Sequence, residues 1–353
     1  MAISLKITKT QQSRIDQCDF NNIQFGTIFA DHMFCCNYEN GTWKDAVILP
    51  FGPVALSPSI SALHYGQSIF EGMKAFKNFQ TGEPQLFRPL DNWKRLNVSA
   101  TRMAMPELPE EIFMGGLSQL IRLDKEWIPT KEGSSLYIRP FMFATDEFVG
   151  VRPSQKFSFI IFTCPVNSYY PKPIRVQVEQ KYTRAFKGGA GFAKAAGNYG
   201  ISMLPTLEAQ RNGFDQLIWT DGSQHDFVEE SGTMNIFFLV NGEVITPPVG
   251  ETILAGITRD SSIKLLRNAG YTVTEKPVSV KEIAQACERG EVEDAFGTGT
   301  AALIAKIHSI TYAGKTYELP AVEQRKVSNY LYTELENIRT SKSPDPFNWV
   351  VPV

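Results

Sequence analysis

Residues 188–200 read "GGAGFAKAAGNYG", a single lysine, Lys194, set in a run of glycine and alanine. Small residues let a backbone turn tightly and lie close to a flat or bulky ligand, whereas lysine is normally a solvated charge on a long stem. The run is not a nucleotide cradle. Its core "GAGFAK" (189–194) misses both the GxGxxG fingerprint and the GxxxxGK[ST] loop, so the glycines must serve another purpose.

The rest of the composition narrows that purpose. With 353 residues the chain is long enough for two cores, and the expected division is a domain over 1–167, a linker over 168–179 that begins in the proline-bearing "SYYPKP", and a second domain over 180–353. Its 35 basic and 37 acidic side chains nearly cancel, so no global field favours nucleic acid or an anionic membrane, and a small-molecule partner is expected. No apolar run approaches the roughly 18 residues of a membrane span, and the N-terminus lacks the apolar stretch of a secretory signal. Five cysteines without a regular framework, two of them adjacent (Cys35, Cys36), point to a reducing cytoplasm. The four histidines fall in no metal-binding spacing, and no metal is expected.

Local patterns give an α+β chain. Asn40-Gly41 and Asn241-Gly242 sit between alternating runs and read as hairpin turns, with a further turn near Thr81-Gly82. "SLYIRPFMFA", "KFSFIIFTCPV", "PIRVQVEQ" and "FDQLIWTDG" read as strands. "DNWKRLNVSATRMAM" reads as a helix capped by Asp91, and "EEIFMGGLSQLIRL" as a helix with Ile112, Phe113, Leu117, Leu120 and Ile121 on one face. "YGISMLPTLEAQRNG" is a third helical stretch. "TRDSSIKLLRNAG" reads as a helix with a Thr258 cap and a Gly270 stop, and "SVKEIAQACERG" opens with a capping box from Ser279 to Glu282.

Two stretches could hold a phosphate: "LAGITRD" (254–260), which leads backbone N–H groups into a helix N-terminus, and "FGTGTAAL" (296–303), with its glycines and hydroxyls. Lysine beside such features has a specific use. A desolvated lysine amine forms a Schiff base with an aldehyde, the linkage that holds pyridoxal 5'-phosphate (PLP), whose ring nitrogen needs a partner. "FVEESGTMN" offers Glu229 and Glu230 for that partner.

Taken together, "LHYGQSIFEGMKAF", "YIRPFMF", "KAAGNYG", "EESGTMNIFF", "GITRDS" and "GTGTAAL", in this order, resemble the branched-chain aminotransferases of the fold-type IV PLP enzymes, over about residues 25–308. The resemblance implies that Lys194 binds the PLP aldehyde and shuttles a proton, that Glu230 rather than Glu229 holds the ring nitrogen protonated, and that Tyr199 neighbours the phenolic oxygen. Arg95, Ile257, Thr258 and Thr300 would form the phosphate cup. A substrate pocket would be built from Phe25, Phe70, Tyr137, Tyr169 (or its neighbour Tyr170) and Tyr199, with Tyr65 and Val151 supplied by a neighbouring subunit. Thr233 and Ala301 would meet the α-carboxylate, and Arg139 the distal carboxylate of glutamate.

The same resemblance implies a small N-terminal α+β domain, a larger C-terminal pseudo-barrel domain with PLP between them, and a homodimer. The reaction expected is reversible transfer of the amino group between L-leucine, L-isoleucine or L-valine and 2-oxoglutarate. D-amino-acid aminotransferase and aminodeoxychorismate lyase are the near rivals within the fold. Ala302 and Ala305 stand where mammalian relatives carry a CxxC pair, so no thiol switch is expected there.

Overall fold

The computed structural model describes residues 5–353. They fall into two units, each built on its own sheet: residues 5–169 with 193–197 and 336–353, and residues 170–192 with 198–335. No helix among the described residues is long and apolar enough to cross a membrane.

The first sheet runs, in spatial order, through Lys6–Ile7, Thr42–Pro50, His32–Glu39, Phe157–Val166, Ser135–Ala144, Met73–Lys77, Pro84–Phe87 and Val350–Pro352, with Ser68–Phe70 also paired to Ser135–Ala144. Asn40 (φ 53°) and Gly41 (φ 79°) adopt the left-handed conformations that a two-residue hairpin turn needs, and they close Glu39 against Thr42. Alternation along His32–Glu39 puts Cys36 in the core on the same face as Phe34 and leaves Cys35 half-buried. Helices Pro89–Arg102 and Glu110–Leu123 cover one face. Leu96, Ala100, Ile112, Phe113, Leu117, Leu120 and Ile121 pack there with Phe34, Ile48, Phe159 and Ile161. The approach is close at Gly116, where an added Cβ would lie 2.7 Å from the Phe34 ring.

The helix expected to start from an Asp91 cap starts earlier, at Pro89. Proline presets the φ of a first helical turn, the capping position falls to Arg88, and Asp91 lies inside the turn, paired with Arg88 at 2.6 Å.

The second sheet runs through Val273–Glu275, Glu243–Thr246, Asn235–Val240, Val292–Gly299, Leu303–Tyr312, Ile174–Val178, Gln216–Thr220, Phe227–Ser231 and Val278–Ser279, with Lys315–Glu318 beside Leu303–Tyr312. Ile174–Val178 is parallel to both its neighbours and buries Ile174, Val176 and Val178. The strand read from "PIRVQVEQ" is therefore a central strand of the second unit and takes up part of the expected linker, because its alternating apolar residues outweigh the prolines that precede them. The C-terminal segment 336–353 likewise departs from the expected division and completes the first unit, where Val350–Pro352 pairs with Pro84–Phe87.

Two helices also differ in detail. Ile257–Asn268 is preceded by Gly256 as its cap, so Thr258 is a buried residue of the first turn rather than the cap. The stretch after Lys194 forms two short helices, Gly197–Gly200 and Met203–Arg211. Ser279 does cap Val280–Glu288, accepting the Glu282 N–H at 3.4 Å.

Candidate active site

In the first unit, residues 194–196 run along Ser68–Phe70 like a short added strand. The Phe70 N–H donates to the Lys194 carbonyl (3.1 Å), the Ala196 N–H donates to the Ser68 carbonyl (3.0 Å), and Ile69 bridges Ala195. The Lys194 N–H donates to Ser99 Oγ at 2.9 Å, and the Ser99 hydroxyl in turn donates to the Arg95 carbonyl at 3.1 Å. The lysine backbone is thus fastened to the helix that carries Arg95.

The Arg95 guanidinium is held by Glu71, which is fully buried. Nε donates to Oε1 at 2.7 Å and Nη2 to Oε2 at 2.8 Å, the two-pronged geometry that fixes an arginine in both position and plane. Asn92 Nδ2 adds a third bond to Glu71 at 2.7 Å. Burial alone would push the Glu71 carboxyl up, but Arg95, assisted by Lys194 and Asn92, holds it below the usual carboxylate range.

Phe70 carries two cations over its ring, Lys194 Nζ at 4.9 Å and the Arg139 guanidinium at 4.6 Å. Arg139 Nη2 donates to the Tyr137 hydroxyl at 2.9 Å, and its buried Nε has no hydrogen-bond partner among the described residues. Phe25 sits edge-on to Tyr137 (5.1 Å) and Tyr169 (5.0 Å). Burial, and then the neighbouring Tyr137, push the Tyr169 phenol up. Gly72 makes room for this cluster, since a Cβ there would come within 2.3 Å of the Tyr137 hydroxyl. Tyr170, the alternative to Tyr169, belongs to the second unit, where its hydroxyl accepts from Gln216 Nε2 at 3.1 Å. Tyr65 and Val151 are on the surface, 42% and 91% exposed.

In the second unit three turns are tied together. The turn 231–234 is closed by two bonds between Ser231 and Met234, and Gly232 takes φ 57° in it. Asn235, just beyond, pairs with Thr298 across the sheet, which sets Thr233 beside the hairpin turn containing Thr300 and Ala301. Asn235 Nδ2 donates to the Leu254 carbonyl at 2.9 Å, and its Oδ1 fills the space a Cβ on Gly256 would need. Glycine at 256 is therefore required for the helix Ile257–Asn268 to start against this turn, with the backbone N–H groups of its first residues unused by the helix itself. Tyr199 lies in the short helix Gly197–Gly200, and its carbonyl accepts from the Ser202 hydroxyl at 2.7 Å.

Glu230, on Phe227–Ser231, accepts the Leu254 N–H at 2.8 Å and lies 3.3 Å from Arg184 Nε. Beside it the sheet register slips. Trp219 pairs with Glu230 and Thr220 with Val228, leaving Glu229 as the extra residue of a bulge. Glu229 is buried too. Burial pushes its carboxyl up to about 7, with Glu230 and Asp221 acting in the same sense and the Thr252 hydroxyl and Arg184 against. Segment 251–254 binds these groups to the glycine-rich loop: Glu251 accepts from Gly188 N–H (2.8 Å) through its side chain and from Phe192 N–H (3.1 Å) through its carbonyl. The Thr252 carbonyl accepts from Arg184 Nη2. Gly191 packs on Thr252 so closely that a Cβ would meet its carbonyl at 2.7 Å.

Residues 68–310 match the model of the amino-transferase class IV family. A branched-chain-amino-acid transaminase of Bacillus subtilis is 44% identical over 340 residues, covering 95% of each chain. The chain belongs to this family, among its branched-chain aminotransferases. The solved branched-chain amino acid aminotransferase of Escherichia coli superposes with a TM-score of 0.74 at 26% identity over 91% of this chain and 98% of that one. That of the archaeon Thermoproteus uzoniensis, solved with norvaline, superposes at 0.73 with 26% identity over 90% and 99%. A further solved branched-chain aminotransferase, from a T.th. strain and complexed with N-(5'-phosphopyridoxyl)-L-glutamate, superposes at 0.72 with 25% identity over 90% and 98%. The fold is that of the fold-type IV enzymes, α+β with two sheets.

The sequence motifs single out Lys194 and Glu230, but not the groups that hold them. Glu71 stands inside the quoted "FEG" and Arg184 ten residues before Lys194, and neither carries a local signal of its role. A carboxylate next to glycine in an otherwise apolar strand run is the only available sign of Glu71. Asn235 and Thr252 act through bonds made by folding and leave no pattern in sequence.

Proposed function

We propose that the protein transfers amino groups between L-leucine, L-isoleucine or L-valine and 2-oxoglutarate, using PLP. The observation that carries this reading is the second unit's joining of a buried carboxylate, Glu230, through Leu254 and Asn235, to the helix N-terminus at Gly256–Thr258. A ring nitrogen and a phosphate need such a pair of partners, one anionic and one rich in N–H donors. The donor set of the first unit suits the same cofactor, with a lysine for the aldehyde and an oriented guanidinium for the dianion.

When bound, PLP supplies an aldehyde that takes up the amino group and a ring that accepts electron density from the substrate Cα. Lys194 Nζ would hold the aldehyde at rest and, when free, would move the substrate α-proton. Glu230, 3.3 Å from Arg184 Nε, would hold a proton at the ring nitrogen. Arg95, Ile257, Thr258 and Thr300 would bind the phosphate, and Tyr199 the phenolic side. Thr233 and Ala301 would face the α-carboxylate. Phe25, Phe70, Tyr137 and Tyr169 would enclose an apolar side chain, and Arg139, whose Nε lacks a partner among the described residues, would take the distal carboxylate of glutamate. Because the first product would leave before the second substrate binds, the kinetics would be ping-pong.

A homodimer fits the surface. Tyr65 and Val151 are exposed together with Leu63, Phe148 and Val149, an apolar set suited to a second copy that would receive both residues into its pocket. The five cysteines, all without disulfides, suit a reducing cytoplasm. The test is the absorbance spectrum of the purified protein before and after L-leucine. A visible cofactor band that moves to shorter wavelength with L-leucine, not with D-leucine, and is absent in Lys194→Ala supports the reading; no band after PLP is added refutes it.

A further inference from the structure

The bulge at Glu229 puts two carboxylates in consecutive positions against one residue, Trp219, of the neighbouring strand. A regular strand would send consecutive side chains to opposite faces; a bulge re-aims one of them, and bulges of this kind recur beside active sites. Both carboxylates are nearly inaccessible, at 6% and 4% exposure, and among the described residues Arg184 is the cation that acts on Glu229. Arg184 lies 3.3 Å from Glu230 Oε2, while Glu229 Oε2 has no hydrogen-bond partner among the described residues.

The surrounding charges leave Glu229 with little else. Asp221, at the adjoining turn, is occupied by the N–H groups of Ser223, Gln224 and Phe227 and by the Ser223 hydroxyl. Glu251, on the strap that faces the bulge, is turned to Gly188, and His225 is bonded to Thr220 Oγ1. The Thr252 hydroxyl contributes a hydrogen bond to the Glu229 carboxyl.

Counting charge then gives two states. With Glu229 protonated, Glu230 and Arg184 cancel. With Glu229 ionised, the group carries one net negative charge, the complement of one protonated pyridine ring. We propose that Glu229 is the second carboxylate of the ring-binding site, sharing Arg184 with Glu230 and giving up its proton to solvent when the positively charged ring of the cofactor binds. The inference rests on the PLP reading above. Glu229 is a positioning residue here, since it sets the charge that Arg184 and Glu230 present. The proton leaves its carboxyl oxygen for the buffer, and no bond to the cofactor is formed. The high value to which burial raises the group supports a proton held there before binding.

The test is calorimetric titration of PLP into the full-length, cofactor-stripped protein, wild type against Glu229→Gln, in two buffers of different ionisation enthalpy. The glutamine keeps the shape of the protonated acid and cannot ionise. At about pH 6 the wild type should release about one proton more than the variant, and near about pH 8, where Glu229 is already ionised, the difference should shrink towards zero. Equal proton counts at both pH values overturn the inference and leave the cofactor assignment standing. Failure of the wild type itself to bind PLP overturns both. If Glu229→Gln does not fold, infrared difference spectra of the wild type decide: a protonated-carboxyl band that vanishes on PLP binding supports the proposal, and an unchanged one refutes it.

Discussion

Glu71 grips Arg95 by two parallel bonds, 2.7 and 2.8 Å long, from a carboxylate with no exposed surface. Removing one member of such a buried pair strands the other charge, which typically costs about 3–5 kcal/mol. Glu71→Ala is therefore expected to destabilise the first unit by about that amount and to weaken PLP binding, while Glu71→Gln keeps the shape and loses less stability. Chemical denaturation of both variants, followed by PLP titration, checks the order.

Arg139 has a second prediction attached to it. Its guanidinium is stacked on Phe70 and bonded to Tyr137, with Nε unused among the described residues. Arg139→Ala should raise KM for 2-oxoglutarate by roughly tenfold to a hundredfold, the loss expected of one charged hydrogen-bonded contact, and change KM for leucine far less. Equal effects on the two substrates in steady-state kinetics would remove the assignment.

The proposed phosphate cup at the helix entry depends on a missing methyl group. A Cβ on Gly256 would overlap Asn235 Oδ1 at 2.0 Å, so Gly256→Ala must push apart the turn and the helix. PLP affinity is expected to fall by at least about tenfold, since the donors of a helix N-terminus work only when correctly aimed. Asn235→Ala in the same background should restore part of it, measured by fluorescence titration.

Stability should depend on pH through Glu229. Its carboxyl titrates at about 7 in the folded chain against an ordinary value of 4.5, so the folded state binds the extra proton. The resulting stabilisation is complete below about pH 4.5 and is lost as pH rises through about 7, on the order of 3 kcal/mol in all. In cofactor-stripped protein, Glu229→Gln should flatten the fall in stability over this window. Denaturation midpoints at a series of pH values, compared with wild type, provide the check.

What the sequence made legible follows from how far each interaction reaches. The turns at Asn40-Gly41 and Asn241-Gly242, the helix face of Ile112 to Ile121 and the cap at Ser279 depend on a few neighbouring residues, and all appear in the structure. Lys194 and Glu230 stood out through ordered motifs. The partners of the proposed site residues did not. Glu71 lies 24 residues from Arg95, and Leu254 lies 24 from Glu230, distances over which no periodicity operates. The bulge at Glu229 is one residue of slip in a ladder whose partner strand must be known before the slip can exist. The strand in "PIRVQVEQ" is legible from its alternation, but its central place between two parallel neighbours is not, so the linker expected over 168–179 takes in most of it.

The strand Val350–Pro352 has a consequence for the order of synthesis. It covers the edge of Pro84–Phe87, which is translated long before it, and residues 336–353 as a whole complete the first unit. A ribosome delivers residues 336–353 after the whole of the second unit. The second unit can therefore close on the nascent chain while the first waits with an open strand edge, the kind of surface that recruits chaperones or another chain. Stalled or shortened products should accumulate as aggregates with a folded second unit inside them.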